Sequence, residues 1–117
     1  MGNRVVLVPA EDYSLVATHL YQVLDTSDVP GGVVNIVAGP REELIQTLAG
    51  HADVEALWCW DTAELCATAE ALAAENMKRT WLSNGSYRDW RKQSQGAGEE
   101  FLRHCIEIKN IWIPYGV

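Results

Sequence analysis

The sequence predicts an α/β fold built on a mostly parallel sheet with helices on its faces. Three observations carry that expectation. Short apolar runs rich in β-branched residues recur along the chain, as in Val5-Val6-Leu7-Val8 and Val33-Val34-Asn35-Ile36-Val37. Segments with helical spacing lie between them. Turn signals punctuate the junctions, the sharpest being Pro30-Gly31-Gly32, where a fixed φ is followed by backbone freedom. Alternating strands and helices favour a parallel sheet with crossover helices.

In order, residues 4–8 read as a first strand ended by Pro9, which cannot continue a ladder. Ser14 is the expected N-cap of a helix to about residue 25, with Val16, Leu20, Val23 and Leu24 on one stripe. After the Pro-Gly-Gly turn, residues 33–37 read as a strand buried on both faces. Gly39-Pro40 opens a second helix, with Pro40 at its first position and Glu42 and Glu43 favoured by the helix dipole. Leu44, Ile45 and Leu48 supply its buried face, and Gly50 ends it. Residues 55–60 are the third strand. Asp61 and Glu64 have capping-box spacing before an Ala-rich helix to about residue 75. Residues 78–82 form a fourth strand closed by Asn84-Gly85, and residues 84–98 read as a polar loop. A short helix over 97–104 and a final strand over 107–113 complete the chain. The order is that of part of a doubly wound, Rossmann-like nucleotide-binding fold.

Composition narrows the function classes. The 117 residues are 48% hydrophobic and 21% charged, as in ordinary globular domains. A net charge of −7 disfavours nucleic acid and anionic membranes as partners, since both are held by basic patches. No apolar run approaches the ~20 residues of a membrane span, and the N-terminus lacks signal-peptide and myristoylation patterns. Cys59, Cys66 and Cys105 are odd in number, have no CxxC pair and read as buried thiols of a reduced, cytoplasmic protein. His19, His51 and His104 have no metal-ligand spacing. Arg88, Arg91 and Lys92 read as an exposed loop face, with phosphate binding the alternative. Trp58 and Trp60, two apart on a strand, share one face. Trp112 and Tyr115 add aromatics at the end of the chain, open to core packing or an interface.

Several segments together resemble the aldehyde dehydrogenase family. Val8-Pro9-Ala10-Glu11 is similar to that family's Lys-Pro-Ser-Glu. Pro30-Gly31-Gly32-Val33-Val34-Asn35-Ile36-Val37 with Gly39 resembles its Pro-Pro-Gly-Val-Val-Asn-Ile-Val-x-Gly. Leu48-Ala49-Gly50-His51-Ala52-Asp53-Val54 resembles Leu-x-x-His-Pro-x-Val, and Asn76-Met77-Lys78-Arg79-Thr80-Trp81-Leu82 resembles Asn-Leu-Lys-Arg-Val-Thr-Leu. Glu107-Ile108-Lys109-Asn110-Ile111 resembles the Glu-Val-Lys-x-Val of the family's C-terminal oligomerisation strand. The resemblance implies an NAD(P)-dependent oxidoreductase ancestry. It marks Pro9, Glu11 and Thr62 as candidate cofactor contacts, with NAD possible rather than required. It marks Ile108, Ile111, Trp112, Ile113 and Tyr115 as a candidate interface for a dehydrogenase unit or a second copy of the chain.

The departures bear on chemistry. Val8 replaces the lysine that contacts the adenosine ribose in the family, whereas Glu11 is retained; a solvated carboxylate is the alternative for Glu11. Cys59-Trp60-Asp61-Thr62 replaces the Phe-Thr-Gly-Ser turn at the pyrophosphate, and Asp61 would repel phosphate. Ser83 stands where the general-base glutamate is expected, and a hydroxyl does not take up a proton near neutral pH unaided. Cys105 lies on the apolar side of a helix and reads as buried rather than as a nucleophile. The pattern resembles the degenerate, non-catalytic C-terminal module of two-module (family-16 type) aldehyde dehydrogenases. A structural, assembly role is therefore the leading expectation. A small adenosine-nucleotide-binding module, or one part of a split dehydrogenase completed by another chain, are the alternatives.

Overall fold

The structure, a computed structural model, describes residues 2–116 and divides into two compact units, Gly2–Tyr87 and the segment from Arg88 onward. In the first unit the order is β1 (Val5–Leu7), α1 (Val16–Asp25), β2 (Val34–Ile36), α2 (Arg41–Gly50), β3 (Ala56–Cys59), α3 (Ala63–Ala73) and β4 (Arg79–Leu82). Single 3-10 turns lie at Glu11–Tyr13 and Ala74–Asn76. Both strand pairings are parallel, as expected. β1 and β2 pair in the register Val5↔Val34 to Leu7↔Ile36, and β3 and β4 in the register Ala56↔Arg79 to Cys59↔Leu82. The ladders form two separate two-stranded sheets rather than one continuous sheet.

The core lies between β3 and the helices α2 and α3. Leu57 and Cys59 point inward from alternate positions of β3 and meet Ile45, Ala49, Cys66 and Ala69. Ala49, Cys66 and Ala69 are completely buried. Small side chains at these helix positions let α2 and α3 approach closely, which explains the Ala-rich composition of α3. Leu48, Leu65, Leu72 and Leu82 pack around the edge of this cluster.

Several local expectations are corrected. The residues around β2 are half-buried, not enclosed on both faces, and Val37 is exposed. β2 is an edge strand of a two-stranded pair, so one side of it has no ladder to bury it. Ser14 does not cap α1: Leu15 is the N-cap and no side chain bonds there. The stripe Val16, Leu20 and Val23 is exposed, and Ala17 is the residue of α1 that is buried. A face only two strands wide is too narrow to cover such a stripe. Pro40 is the N-cap of α2 and not its first helical residue. Gly50 is the last helical residue, and His51 leaves the helix in an extended conformation. Thr62, not Asp61, is the N-cap of α3; its Oγ1 accepts from the Leu65 N–H at 3.4 Å, so the Asp61–Glu64 capping box is not formed. After α3, Met77 takes a left-handed conformation at φ 52° and turns the chain into β4.

In the second unit the expected loop contains a one-turn helix, α4 (Gln93–Gly96), and the following helix, α5 (Glu99–His104), starts later than expected. Gly98 precedes α5 at φ 123°, a conformation that L side chains rarely adopt. Arg88 is the centre of this unit and not part of a solvated basic face. Its guanidinium pairs with Glu100 at 3.0 Å, donates to the Gln95 carbonyl at 3.0 Å and stacks on Trp90 and Phe101. Arg91 and Lys92 are exposed, as expected. Residues 105–116 form no strand, which corrects the expectation of a final strand over 107–113. A strand is defined by its ladder partner, and no other strand pairs with this segment among the described residues. Val117 lies outside the described residues. Among the described residues no helix is long and apolar enough to cross a membrane.

Candidate functional site

Parallel βα units gather their helix N-termini beyond the carboxyl ends of the strands, where α/β folds bind ligands. In this chain that region is the head of α2, the head of α3 and the end of β4. Asp61 lies at its centre. One Asp61 carboxylate oxygen accepts from the Thr62 N–H at 2.6 Å, and the other pairs with the Arg41 guanidinium at 3.2 Å. The Asp61 side chain is only 7% exposed, whereas that of Arg41 is 47% exposed. Glu11 reaches the same place from the 3-10 turn after β1, and its carboxylate accepts from the Arg41 backbone N–H at the first position of α2. Glu11 and Thr62 are thus both found at helix heads, one on α2 and one on α3. Pro9, the third candidate contact, is half-buried just after β1.

Ser83 ties the end of β4 to this turn. Its Oγ donates to the Asp61 carbonyl and accepts from the Asp61 N–H, both at 3.1 Å. The Gly85 N–H donates to the same carbonyl at 2.9 Å. A hydroxyl engaged in both directions with the backbone is a structural staple and is not poised to take up a proton. Cys66 lies beneath the turn, with its Sγ 3.7 Å from the Asp61 carbonyl and 3.9 Å from that of Cys59. Burial pushes the Cys59 thiol up to about 12, and the neighbouring Cys66 adds to the shift, so neither chemistry nor metal binding by a thiolate is favoured there. Among the described residues no group of three or more His, Cys, Asp or Glu could hold a metal ion.

Two further constellations hold the scaffold. Lys78 is buried, and its Nζ donates to the carbonyls of Leu48 at 3.1 Å and His51 at 2.7 Å, capping the C-terminal end of α2. Asn76 Nδ2 donates to the Ala52 carbonyl at 3.0 Å on the same turn. The segments around His51 and Lys78 are therefore one clamp. On the opposite side of β3, Trp58 and Trp60 meet Trp81, which is paired with Trp58 across the parallel ladder. The ring centroids lie 4.9–5.9 Å apart in edge-to-face arrangements. The shared face of Trp58 and Trp60 was legible in the sequence; the contribution of Trp81 was not. At the C-terminus, Ile108, Ile111, Trp112, Ile113 and Tyr115 are all strongly exposed, Trp112 at 91% and Tyr115 at 98%.

These features define a Rossmann-like α/β unit with helix heads converging beyond its strands. Comparison with known proteins gives the family. The model of the aldehyde dehydrogenase family matches residues 1–89 of the 117, and the chain belongs to that family. It is 34% identical over 85 residues to the NADP/NAD-dependent aldehyde dehydrogenase PuuC of Escherichia coli, a match spanning 72% of this chain and 17% of that protein. It is 44% identical over 52 residues to a 1-pyrroline-5-carboxylate dehydrogenase of Staphylococcus epidermidis, covering 44% of this chain and 10% of that one. The crystal structure of the aldehyde dehydrogenase KauB from Pseudomonas aeruginosa matches at a TM-score of 0.65 and 34% identity, over 69% of this chain and 17% of KauB. An indole-3-acetaldehyde dehydrogenase in complex with NAD+ matches equally well, at 0.65 and 34%. The chain therefore spans between a tenth and about a sixth of the length of these relatives, 10% to 17%.

NAD(P) is the cofactor that the family implies, and the residues present do not fit it. Val8 offers no donor to a ribose. Glu11 is engaged at the head of α2, and the Asp61 carboxylate lies at the head of α3.

Proposed function

We propose that this chain is a non-catalytic, aldehyde dehydrogenase-like module of the kind found as the degenerate C-terminal unit of two-module enzymes, and that its role is assembly. The observation that carries this reading is the C-terminal segment. It places Ile108, Ile111, Trp112, Ile113 and Tyr115 in solvent, and among the described residues its β-prone sequence forms no strand. Such a run is a template for strand addition to another sheet edge. The partner is a dehydrogenase unit or a second copy of the chain. Support for the non-catalytic part comes from Ser83, which stands in the place of the base and is bonded to the Asp61 backbone in both directions.

Size-exclusion chromatography with light scattering tests the assembly role, on the chain alone and mixed with a full-length dehydrogenase of the family. A larger species that is lost on Trp112→Asp is expected. A monodisperse monomer with no affinity for the dehydrogenase would refute the reading. Restoration of an aldehyde- and NAD-dependent rate in the mixture would favour a split enzyme instead.

A further inference from the structure

We propose that the chain supplies its own anions where a dinucleotide would place its phosphates, so that the heads of α2 and α3 are closed to nucleotides from within. Nothing in this depends on the assembly role. Helix N-termini bind phosphate because unpaired N–H groups and the helix dipole converge on it. Here part of that donor set is already engaged. The Arg41 N–H at the first position of α2 is taken by Glu11. The N–H of Thr62, the N-cap of α3, is taken by Asp61, and the Leu65 N–H by the Thr62 hydroxyl. Arg41, the side chain best placed to hold an incoming phosphate, is committed to Asp61 at 3.2 Å.

The remaining charge at the site has the wrong sign for a guest. Glu42 and Glu43 lie in the first turn of α2 and Glu64 in the first turn of α3. With Glu11 and Asp61 they set five carboxylates against the Arg41 guanidinium. Each of these carboxylates repels an incoming phosphate and so opposes what a helix terminus offers an anion. The Asp61 backbone is fixed by Ser83 and Gly85, and its carboxylate is held at the head of α3 by the Thr62 N–H and Arg41. The same residues that end any use of the site for nucleotide make it an internal cross-link between β1, α2, α3 and β4.

Amide-resolved NMR titration of the full chain at low ionic strength tests this, with inorganic pyrophosphate and with NAD as probes. The wild-type chain is expected to bind both more weakly than about 10 mM. Asp61→Asn releases Arg41 and removes one charge, and pyrophosphate is then expected to bind about tenfold tighter or better, with shifts at the first-turn amides of α2 and α3. Glu11→Gln changes an exposed side chain and gives a smaller gain at the head of α2, and it carries the test if Asp61→Asn disturbs the fold. Wild-type saturation by either probe below about 1 mM at those amides would overturn the proposal. So would equal, weak binding by wild type and both variants, because the carboxylates would then not be what excludes the anion.

Discussion

Replacing Lys78 with methionine tests the internal clamp on α2. Methionine matches the length and apolar stem of lysine while deleting the ammonium. The change removes two hydrogen bonds, to Leu48 and His51 at 3.1 and 2.7 Å, although the His51 carbonyl still accepts from the Val54 N–H at 3.2 Å. Hydrogen bonds from a charged donor contribute about 1.5–3 kcal/mol each, and a cation at a helix C-terminus adds up to ~2. Against this stands the relief of burying a charge, which costs several kcal/mol. A net loss of about 2 kcal/mol follows, which shifts a urea midpoint by roughly 1–2 M at typical slopes. Near-UV circular dichroism, dominated by the Trp58, Trp60 and Trp81 cluster on the same unit, provides the signal. The pH dependence isolates the site. Burial holds the Lys78 ammonium below its ordinary 10.5. Between that lowered value and 10.5 the unfolded chain keeps a proton that the folded chain has released, so stability from this group rises with pH. The stability gap between wild type and Lys78→Met is therefore expected to widen as pH rises toward 10.5, while effects of other groups cancel in the difference. A gap under about 0.5 kcal/mol, or one that shrinks on raising the pH, would refute the reasoning.

Four other outcomes follow from the same structure. At neutral pH a small alkylating reagent should modify Cys105 and spare Cys59 and Cys66, which are buried; rapid labelling of Cys59 in the folded chain would contradict this. Because the Cys59 thiol is raised from 9.0 to about 12, its contribution to stability is present below pH 9 and declines as pH rises through that interval, which alkaline unfolding of Cys59→Ala against wild type would register. Ser83→Ala removes both bonds to the Asp61 backbone and should cost about 1–2 kcal/mol in thermal unfolding, with a change below 0.5 sinking the staple role. In Gly96→Ala the new methyl would clash with the Trp90 carbonyl oxygen, so the amides of α5 should lose hydrogen-exchange protection; an unchanged exchange pattern would count against the packing around Arg88.

The sequence conveyed the alternation of strands and helices because that information is local. β-branched runs, turn residues and helical spacing located β1 to β4 and α1 to α3 within a few residues. What it did not convey depends on distant partners. Val16, Leu20 and Val23 have the spacing of a buried stripe, yet burial requires a covering surface that two short strands do not offer. Thr62 and Asp61 are both good caps by composition, and only the Arg41 pairing and the Ser83 bonds decide that Asp61 sits one residue outside the helix. By local pattern Lys78 starts a strand, because nothing local announces that a lysine caps a helix some thirty residues earlier. At the candidate site, the unusual residues Asp61 and Ser83 stood out against the family pattern, but their mutual bonding did not.

Hydrogen exchange over residues 106–113, followed as a function of chain concentration and of added dehydrogenase, tests the central claim most directly. The account predicts fast exchange in dilute solution and protection at alternate amides of this segment as the assembly forms, the signature of a strand added to a sheet edge. Fast exchange throughout 106–113 under every condition, with assembly or without it, would contradict the account.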